Sequence, residues 1–418
     1  MDPASFNLTR TDLEEILRVY ESHSRVLVTE IVGAQVVPFS KSRVGYLGDH
    51  FFLEINVTIR KDEGEVKTNE SLKFFLKRLS QGIPALAEYL QAIGTCRKEI
   101  RLYRDLFPKL SDFSRFAPRA YLGKDDSLLV LENVSSEGFR TITNAKLGIF
   151  DKAHLEQALK ALARFHCSSL LLETKTGRTL TELFPGALTE NCWILNDNNP
   201  RVAELENAIK VLCELVKIVE KDNPDLNDIL KKLPNFINQI YDLVKPSEKF
   251  RNVACHGDLW GSNLMFKYSE ENVPIDCLIV DFQFARYAPP AYDLNMLITL
   301  TTTGEFRKKH RKQLLDFYYQ TLRNEIIQQH LAPDEILPKK QFYDSCYHYV
   351  TSGLIDNFLM NHVTLLPRSC VDEIFSSAEQ YNNFSGDDKI RMCRRIMAED
   401  PEYRNRIGGI IKDLLEVL

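Results

Sequence analysis

A short polar motif inside a β-rich stretch constrains this chain more than any other feature. The motif reads Cys255-His256-Gly257-Asp258-Leu259-Trp260-Gly261-Ser262-Asn263, so Asp258 precedes Asn263 by five positions. The apolar run Cys277–Val280 then leads directly into Asp281. Each residue alone could be structural, with His256 and Asp258 capping a turn and Asp281 ending a strand. The whole pattern instead favours a functional site.

The residue types of this motif suit one kind of chemistry. Carboxylate and carboxamide oxygens are hard ligands for Mg²⁺, and a second carboxylate beside an attacking hydroxyl suits phosphoryl transfer. The apolar run before Asp281 can form a buried strand that holds this carboxylate rigidly. The residue types therefore predict that one of the two carboxylates lies near the attacking hydroxyl and that Asn263 and the other carboxylate bind the metal.

The chain around the motif divides into two parts. Short β-branched or aromatic runs at 31–37, 51–59, 71–76, 117–122 and 127–131 predict an antiparallel sheet. A helix over 84–107, broken near Gly94, interrupts these runs. Helical periodicity dominates after residue 133, apart from 253–284. We predict an α+β fold with a sheet lobe at 1–132, a helical lobe at 133–418 and a ligand cleft between them.

Composition excludes several classes of protein. The chain has 418 residues, a net charge of −5 and nine scattered cysteines. These values argue against a disulfide framework and against a basic field for nucleic acid. No apolar run is long enough to predict a membrane span. We expect a soluble, cytoplasmic chain with reduced thiols, no nucleic-acid partner and no stable membrane insertion. The basic run Arg307–Lys312 is interpreted as a solvated helix start, and the oligomeric state stays open.

The motif also resembles known enzymes. His256–Asn263 is similar to the H-x-D-x-x-x-x-N catalytic loop of protein-kinase-like phosphotransferases, and Asp281-Phe282 to their metal-binding D-F-G. Trp260 and Gln283 favour the ecdysteroid-kinase-like family, relatives of choline kinases and aminoglycoside phosphotransferases. The similarity extends from about residue 30 to about residue 400. It implies a two-lobe protein-kinase-like fold and an ATP- and Mg²⁺-dependent kinase acting on a small-molecule hydroxyl.

The resemblance implies functional roles for two residues upstream of the motif. Lys77 ends an apolar run, as the nucleotide-binding lysine of such folds does, and Glu99 resembles the helical glutamate that pairs with that lysine. Without the resemblance, both would be interpreted as solvated surface residues. Lys73 and Arg78 are competing cations, although Arg78 should lie on the opposite face of the strand.

Further positions follow from the same resemblance. Gly45 and Gly48 correspond to a phosphate-covering loop, although two glycines replace the usual three and a plain hairpin turn would explain them equally. The segment from Leu128 to Val134 resembles the connection between lobes. There, adenine would hydrogen-bond to backbone atoms of Glu132 and Val134.

Two further residues, Asp293 and His166, have structural interpretations. Asp293 resembles the aspartate that braces the catalytic loop, with a surface helix N-cap as the alternative. His166 is predicted to be a satisfied core histidine.

The resemblance implies an acceptor that is an ecdysteroid-like or other lipophilic alcohol, or a xenobiotic. Two alternatives stay open at this stage. A choline- or aminoglycoside-type kinase would need aromatic and acidic residues that converge on a cation. A catalytically silent binding protein would keep the scaffold, although such proteins commonly lose one of the residues named above.

Overall fold

The computed structural model describes residues 1–24, 26–40, 48–60, 68–80, 82–124, 127–142 and 148–418. Gly45, one of the two predicted phosphate-loop glycines, lies outside these ranges. The described chain combines a five-stranded antiparallel sheet, two smaller sheets and a larger set of helices. This arrangement confirms the predicted α+β class. The boundary between residues 132 and 133 stays a prediction.

The strands follow the predicted runs and extend beyond most of them. They are β1 (Leu27–Pro38), β2 (Gly48–Arg60), β3 (Thr68–Leu79), β4 (Ala120–Lys124), β5 (Leu128–Glu132), β6 (Phe139–Arg140), β7 (Val253–Cys255), β8 (Leu264–Tyr268), β9 (Pro274–Ile279) and β10 (Arg286–Ala288). The large sheet has the order β1-β2-β3-β5-β4, and the smaller ones are β10-β7 and β6-β8-β9.

Helices make up most of the remaining structure. They are α1 (Arg10–His23), α2 (Pro84–Ile93), α3 (Thr95–Arg101), α4 (Phe107–Leu110), α5 (Lys152–Thr176), α6 (Leu180–Leu183), α7 (Pro200–Val219), α8 (Leu226–Asn238), α9 (Ile240–Leu243), α10 (Pro290–Thr301), α11 (Gly304–Gln328), α12 (Pro333–Ile336), α13 (Lys339–His348), α14 (Val350–Thr364), α15 (Arg368–Ile374), α16 (Ala378–Asn383), α17 (Lys389–Glu399) and α18 (Pro401–Leu415).

The large sheet has a separate apolar core on one face. Alternate residues of β2, including Leu53, Ile55 and Val57, are buried because side chains of a strand point to opposite faces in turn. They share a cluster with Ile16 of α1. Helix α1 begins at Arg10, because the Thr9 side chain accepts a hydrogen bond from the Asp12 N–H in a capping box.

Strand β3 presents two chemically different faces. Leu72, Phe74 and Leu76 belong to the apolar cluster shared with α1, so Lys77 lies on the opposite face. Arg78 returns to the first face, where its guanidinium lies 4.5 Å from the Phe6 ring centroid. This confirms that Arg78 and Lys77 point to opposite sides of the strand.

The predicted helix over 84–107 is interrupted as expected. Gly94, at φ +65°, ends α2 and begins α3, and a π-helical turn over Leu102–Leu106 follows. Glycine adopts this left-handed conformation without the steric cost that a Cβ imposes. The break lets α3 change direction and carry Glu99 toward the sheet.

The helical part has its own extensive core. Helix α10 is buried along its whole length, and α5 is buried along most of its own. The short strands β7, β8 and β9 border the two functional segments, since residues 256–263 connect β7 to β8 and Asp281 follows β9. These strands therefore fix the predicted site against the helical core.

The basic run lies at the start of α11, and Lys308, Lys309 and Lys312 are exposed as predicted, but Arg307 is not. Arg307 is buried, donates hydrogen bonds to the carbonyl oxygens of Thr299 and Thr302, and pairs with Asp413 of α18 at 2.5 Å. The charge of the run suggested that all of it lies in solvent. Arg307, however, lies on the face of the helix that packs inward. In fact, this arginine joins the start of α11 to the C-terminal helix.

Two further expectations concern the state of the cysteines and the absence of membrane spans. All nine cysteines are free thiols, and most are buried. Within the described ranges, no helix has the length and apolar character needed to span a bilayer.

Candidate active site

Lys77 forms the centre of a buried charge cluster. Its ammonium nitrogen lies 2.6 Å from Glu99 Oε2 and 2.6 Å from Asp281 Oδ1. Burial alone lowers the pKa of Lys77, but the charges of Asp281 and Glu99 raise the pKa above its usual value. The lysine is therefore a fixed cation. Three residues that the sequence placed on separate elements meet at one point.

The turn after β9 is shaped to expose one carboxylate. Asp281 has φ +69°, a conformation that residues with a Cβ rarely adopt, and its side chain is 27% exposed. The next residue, Phe282, is fully buried, with its ring centroid 4.6 Å from that of Phe107. The buried ring holds the turn in place while the carboxylate faces the cleft.

Asp258 and Asn263 lie together in the connection from β7 to β8. The Asn263 side-chain N–H₂ group donates to the Asp258 backbone carbonyl at 2.8 Å and to its carboxylate at 3.0 Å. This leaves the Asn263 carboxamide oxygen for another partner. Burial, followed by the negative charge of Asp281, raises the pKa of Asp258 well above its usual value.

Gly257 has a steric requirement for glycine. Its φ is +77°, and a Cβ there would lie 2.4 Å from the carbonyl oxygen of Phe284. The backbone before Asp258 therefore approaches the chain after Asp281 more closely than any other residue type permits.

His256 links the two halves of the motif. Its Nδ1 accepts a hydrogen bond from the Asp258 N–H at 3.1 Å, while its Nε2 donates to the Val280 carbonyl at 3.0 Å. Burial lowers the pKa of this histidine, which keeps the neutral form that these two bonds require. His256 thus positions the residues on either side of it and is not itself exposed to the cleft.

Asp293 braces the catalytic loop and is not a surface helix cap. It is fully buried, and its carboxylate accepts hydrogen bonds from the backbone N–H groups of His256 at 2.5 Å and Gly257 at 2.9 Å. His166 lies 3.1 Å from the same carboxylate and 2.7 Å from Tyr318 Oη. Both ring nitrogens of His166 are therefore partnered, as predicted for a core histidine.

The remaining predicted residues lie at the edges of the cluster. Gly48 begins β2, and a Cβ there would lie 3.4 Å from Lys77 Cε, so this glycine adjoins the lysine. Glu132 ends β5, but its side chain accepts hydrogen bonds from Arg115 and from the Arg119 backbone. Val134 is buried in the following turn. The Glu132 carboxylate is thus already engaged by its own neighbours.

The competing cation Lys73 lies outside the cluster. It is exposed, pairs with Glu54 at 3.0 Å and lies 4.2 Å from the Phe52 ring centroid. Lys73 lies four residues before Lys77 on β3 and so on the same face of the strand, but it pairs with Glu54 and not with the cluster.

A cavity of about 470 Å³ opens beside the two carboxylates. Asp258 and Asp281 line one end of it, whereas Lys77 does not line it. Most of its other lining residues are apolar or aromatic, including Trp193, Phe284 and Met360. The carboxylates therefore stand between the lysine and a largely apolar chamber.

A buried network that the sequence did not predict adjoins this cavity. Arg286 pairs with Glu190 at 2.9 Å and donates to Tyr292 Oη at 2.6 Å, and this hydroxyl donates to Asp356 Oδ2 at 2.9 Å. Burial raises the pKa of Asp356 to about 7, an effect that Arg286 partly opposes. Tyr292 directly precedes Asp293, which the sequence singled out, but no sequence signal marks Asp356.

A second missed group surrounds Arg201. Its guanidinium lies 4.2 Å from the Trp193 ring centroid, 3.0 Å from Tyr89 Oη and 2.9 Å from Glu204. All four residues line the cavity. The aromatic face and the carboxylate here are already occupied by the protein's own arginine.

The profile of the ecdysteroid kinase-like family matches residues 46–331, which is more than half of the chain. The chain belongs to the ecdysteroid kinase-like family. This membership and the kinase-like arrangement of lysine, glutamate and aspartates confirm the predicted fold and a small-molecule phosphotransferase of the kinase type.

Solved structures give more distant similarities. A choline/ethanolamine kinase family protein from Mesorhizobium loti is 13% identical, with 85% of this chain and 89% of that chain covered and a TM-score of 0.31. The macrolide 2'-phosphotransferase MphH from Brachybacterium faecium is 11% identical, with 90% and 97% covered and a TM-score of 0.31. A microcompartment-associated aminopropanol kinase is 12% identical, with 92% and 98% covered and a TM-score of 0.35.

The family assignment rests on the profile match and on the geometry, not on these three structures. No curated protein matches the sequence.

Proposed function

We propose that the protein transfers the γ-phosphoryl group of ATP to the hydroxyl of a lipophilic small molecule, an ecdysteroid-like alcohol or a xenobiotic. One observation carries the proposal. Asp258 and Asp281 line the same largely apolar cavity, and Lys77 contacts Asp281 from outside that cavity. A nucleotide on the lysine side and an alcohol on the cavity side would therefore meet at the two carboxylates.

Asp258 is the proposed catalytic base. A base must reach the hydroxyl proton by hydrogen bonding, and Asp258 lies on the cavity wall with its carboxylate oriented by Asn263. It accepts the proton as the hydroxyl oxygen attacks phosphorus. The apolar walls exclude water that would otherwise compete as the acceptor.

The nucleotide side is assigned to the buried charge cluster. Lys77 contacts phosphate oxygens as a fixed cation, and Glu99 holds the lysine in place. Gly48 permits a close backbone approach beside the lysine, and the backbone of Glu132 and Val134 faces the adenine. These roles rely on the family pattern together with the contacts described above.

The donor set also fits a magnesium ion. The Asp281 carboxylate is partly exposed, and the Asn263 carboxamide nitrogen is engaged with Asp258, which leaves the amide oxygen available. Both residues would hold Mg²⁺, whose charge stabilises the transferring phosphoryl group. Positioning by this chain's own side chains supplies the rest of the catalysis.

The part of the cavity around Arg201 is unsuited to a choline-like acceptor. A quaternary ammonium group needs an open aromatic face and an unpaired acid. Arg201 already covers Trp193 and pairs with Glu204, and Lys389 adds another cation to the lining. The retained set of Lys77, Asp258, Asn263 and Asp281 likewise argues for an active enzyme and against a silent binding protein.

The test has a binding arm and an activity arm. ATP should raise the melting temperature of the wild-type protein more strongly with Mg²⁺ than without it, and Asp281→Asn should remove most of that difference. An ADP-release assay against a panel of alcohols should then give turnover with apolar alcohols. Equal shifts in the variant and the wild type would contradict the metal assignment.

A further inference from the structure

His362 lines the cavity with an unsatisfied hydrogen-bonding atom. The residue is 2% exposed and lies near the end of α14, and its Nδ1 is 2.9 Å from the Phe358 carbonyl oxygen. A carbonyl oxygen can only accept, so Nδ1 carries the proton and Nε2 carries a lone pair. Within the described part of the chain, Nε2 has no hydrogen-bond partner.

The environment keeps this histidine neutral. Burial, followed by the positive charge of Lys389, lowers the pKa of His362 to about 4. The Phe358 ring stacks on the imidazole at a centroid distance of 5.0 Å and an angle of 8°, which fixes the plane of the ring. Nε2 is therefore an oriented acceptor at neutral pH.

Lys389 contributes the complementary donor. It begins α17, is 6% exposed and lines the same cavity. Its ammonium lies 5.3 Å from the Phe384 ring centroid, and its positive charge lowers the pKa of both Glu204 and His362. A ligand group that accepts a hydrogen bond from this buried ammonium gains more here than in water.

We propose that His362 and Lys389 form a polar subsite that binds a second hydroxyl group of the acceptor molecule. A hydroxyl can satisfy both residues, since it donates to His362 Nε2 and accepts from Lys389. An amine would meet the lysine charge unfavourably, and a carboxylate would place its lone pairs against the histidine lone pair. The subsite selects a diol or polyol on an apolar frame.

The inference rests on the proposed function in one respect, because it assumes that the cavity holds the acceptor. Asp258 and His362 line the same cavity from different elements, the β7–β8 connection and α14. One molecule can therefore contact both residues. The hydroxyl at Asp258 is phosphorylated, and the hydroxyl at the subsite positions the frame.

The test compares matched mono-alcohols and diols by direct binding without nucleotide. One pair is androstanol and androstanediol, which share a rigid frame, and the other is decanol and its α,ω-diol. The wild type should bind at least one diol about tenfold more tightly than its mono-alcohol, as for a hydrogen bond to a charged partner. His362→Phe and Lys389→Met should each remove that preference and leave mono-alcohol affinity within about twofold.

Two further variants serve as controls. His362→Gln restores an acceptor oxygen and should recover part of the diol preference. Met360→Leu alters the same cavity without a polar change and should shift both members of a pair equally. Melting temperatures without ligand identify any variant that fails to fold. If the His362 variants do not fold, the comparison is made with Lys389→Met alone.

The outcomes separate the two proposals. If the wild type binds no diol better than its mono-alcohol, water fills the subsite and the inference is overturned. A diol preference without ATP-dependent phosphorylation would contradict only the proposed function. Phosphorylation with equal use of diols and mono-alcohols would contradict only the subsite.

Discussion

The backbone N–H of Phe282 donates a hydrogen bond of 3.1 Å to the Glu99 carboxylate, although the two residues are 183 positions apart. The other oxygen of this carboxylate pairs with Lys77. Glu99 therefore ties strand β3 to the turn that exposes Asp281. Any shift of α3 would move the lysine and this turn together, which makes Glu99 a positioning residue for both.

Replacing Glu99 should reduce turnover more than stability. Glu99→Gln keeps an acceptor for the Phe282 N–H but removes the charge opposite Lys77, so the lysine should lose its fixed position. We expect ATP-dependent turnover to fall by about 10- to 100-fold, the range for a hydrogen bond to a charged group. Glu88→Gln, on the exposed face of α2, is the control. Equal turnover in both variants would exclude the positioning role.

The three cations of β3 should differ in their effect on nucleotide binding. Lys77→Ala should weaken ATP affinity by more than tenfold, because only this residue joins the carboxylate cluster. Lys73→Ala and Arg78→Ala should stay within about threefold, since both side chains make separate contacts. Calorimetry on all three variants measures this directly. Similar small effects would mean that phosphate binds elsewhere.

Asp258 should affect chemistry and not nucleotide binding. Asp258→Asn preserves the side-chain shape but removes the base, so turnover of the alcohol should fall by roughly 10²–10⁴. ATP–Mg²⁺ affinity should remain within a few-fold of the wild type. Asp344→Asn, at a surface ion pair with Lys340, provides the matched control. A variant that folds normally and retains turnover would rule out the catalytic role.

Asp293 should make stability depend on acid pH. Burial raises the pKa of Asp293, but the interactions of its carboxylate with His166 and with the Gly257 N–H lower the pKa below its usual value overall. The ionised carboxylate therefore stabilises the fold fully above about pH 4, and this contribution is lost as the pH falls through the folded-state pKa. The free energy of unfolding should therefore decrease as the pH is lowered from 7 to 3.

The variant Asp293→Asn isolates this effect. It should be less stable at pH 7 by roughly 2–4 kcal/mol, because an amide cannot accept from all the donors that surround the carboxylate. Its stability should also change less between pH 4 and pH 3 than that of the wild type. Parallel pH profiles for the two proteins would show that Asp293 does not control the acid response.

Local periodicity explains why much of the fold could be predicted. Alternation in β2 and β3, the break at Gly94 and the apolar run before Asp281 all act over a few residues, so they are visible in the chain itself. The motif residues were equally visible, because Asp258, Asn263 and Asp281 have a fixed spacing that the chemistry requires.

Other properties depend on contacts that no local pattern encodes. Asp293 was predicted equally well as a cap or as a brace, and only the positions of His256 and Gly257 against α10 decide for the brace. Arg307 was placed in solvent because its partner, Asp413, lies in the last helix.

The sequence by itself determined the α+β class, the pattern of Asp258, Asn263 and Asp281, and the family to which the chain belongs. Tertiary structure alone decided the cavity, where His362, Lys389 and Asp356 come from helices distant in sequence from the motif. The physical reason is the distance along the chain over which each interaction acts. Helix and strand signals arise between neighbours within a few positions, whereas burial and the pairing of charges depend on which segments pack together.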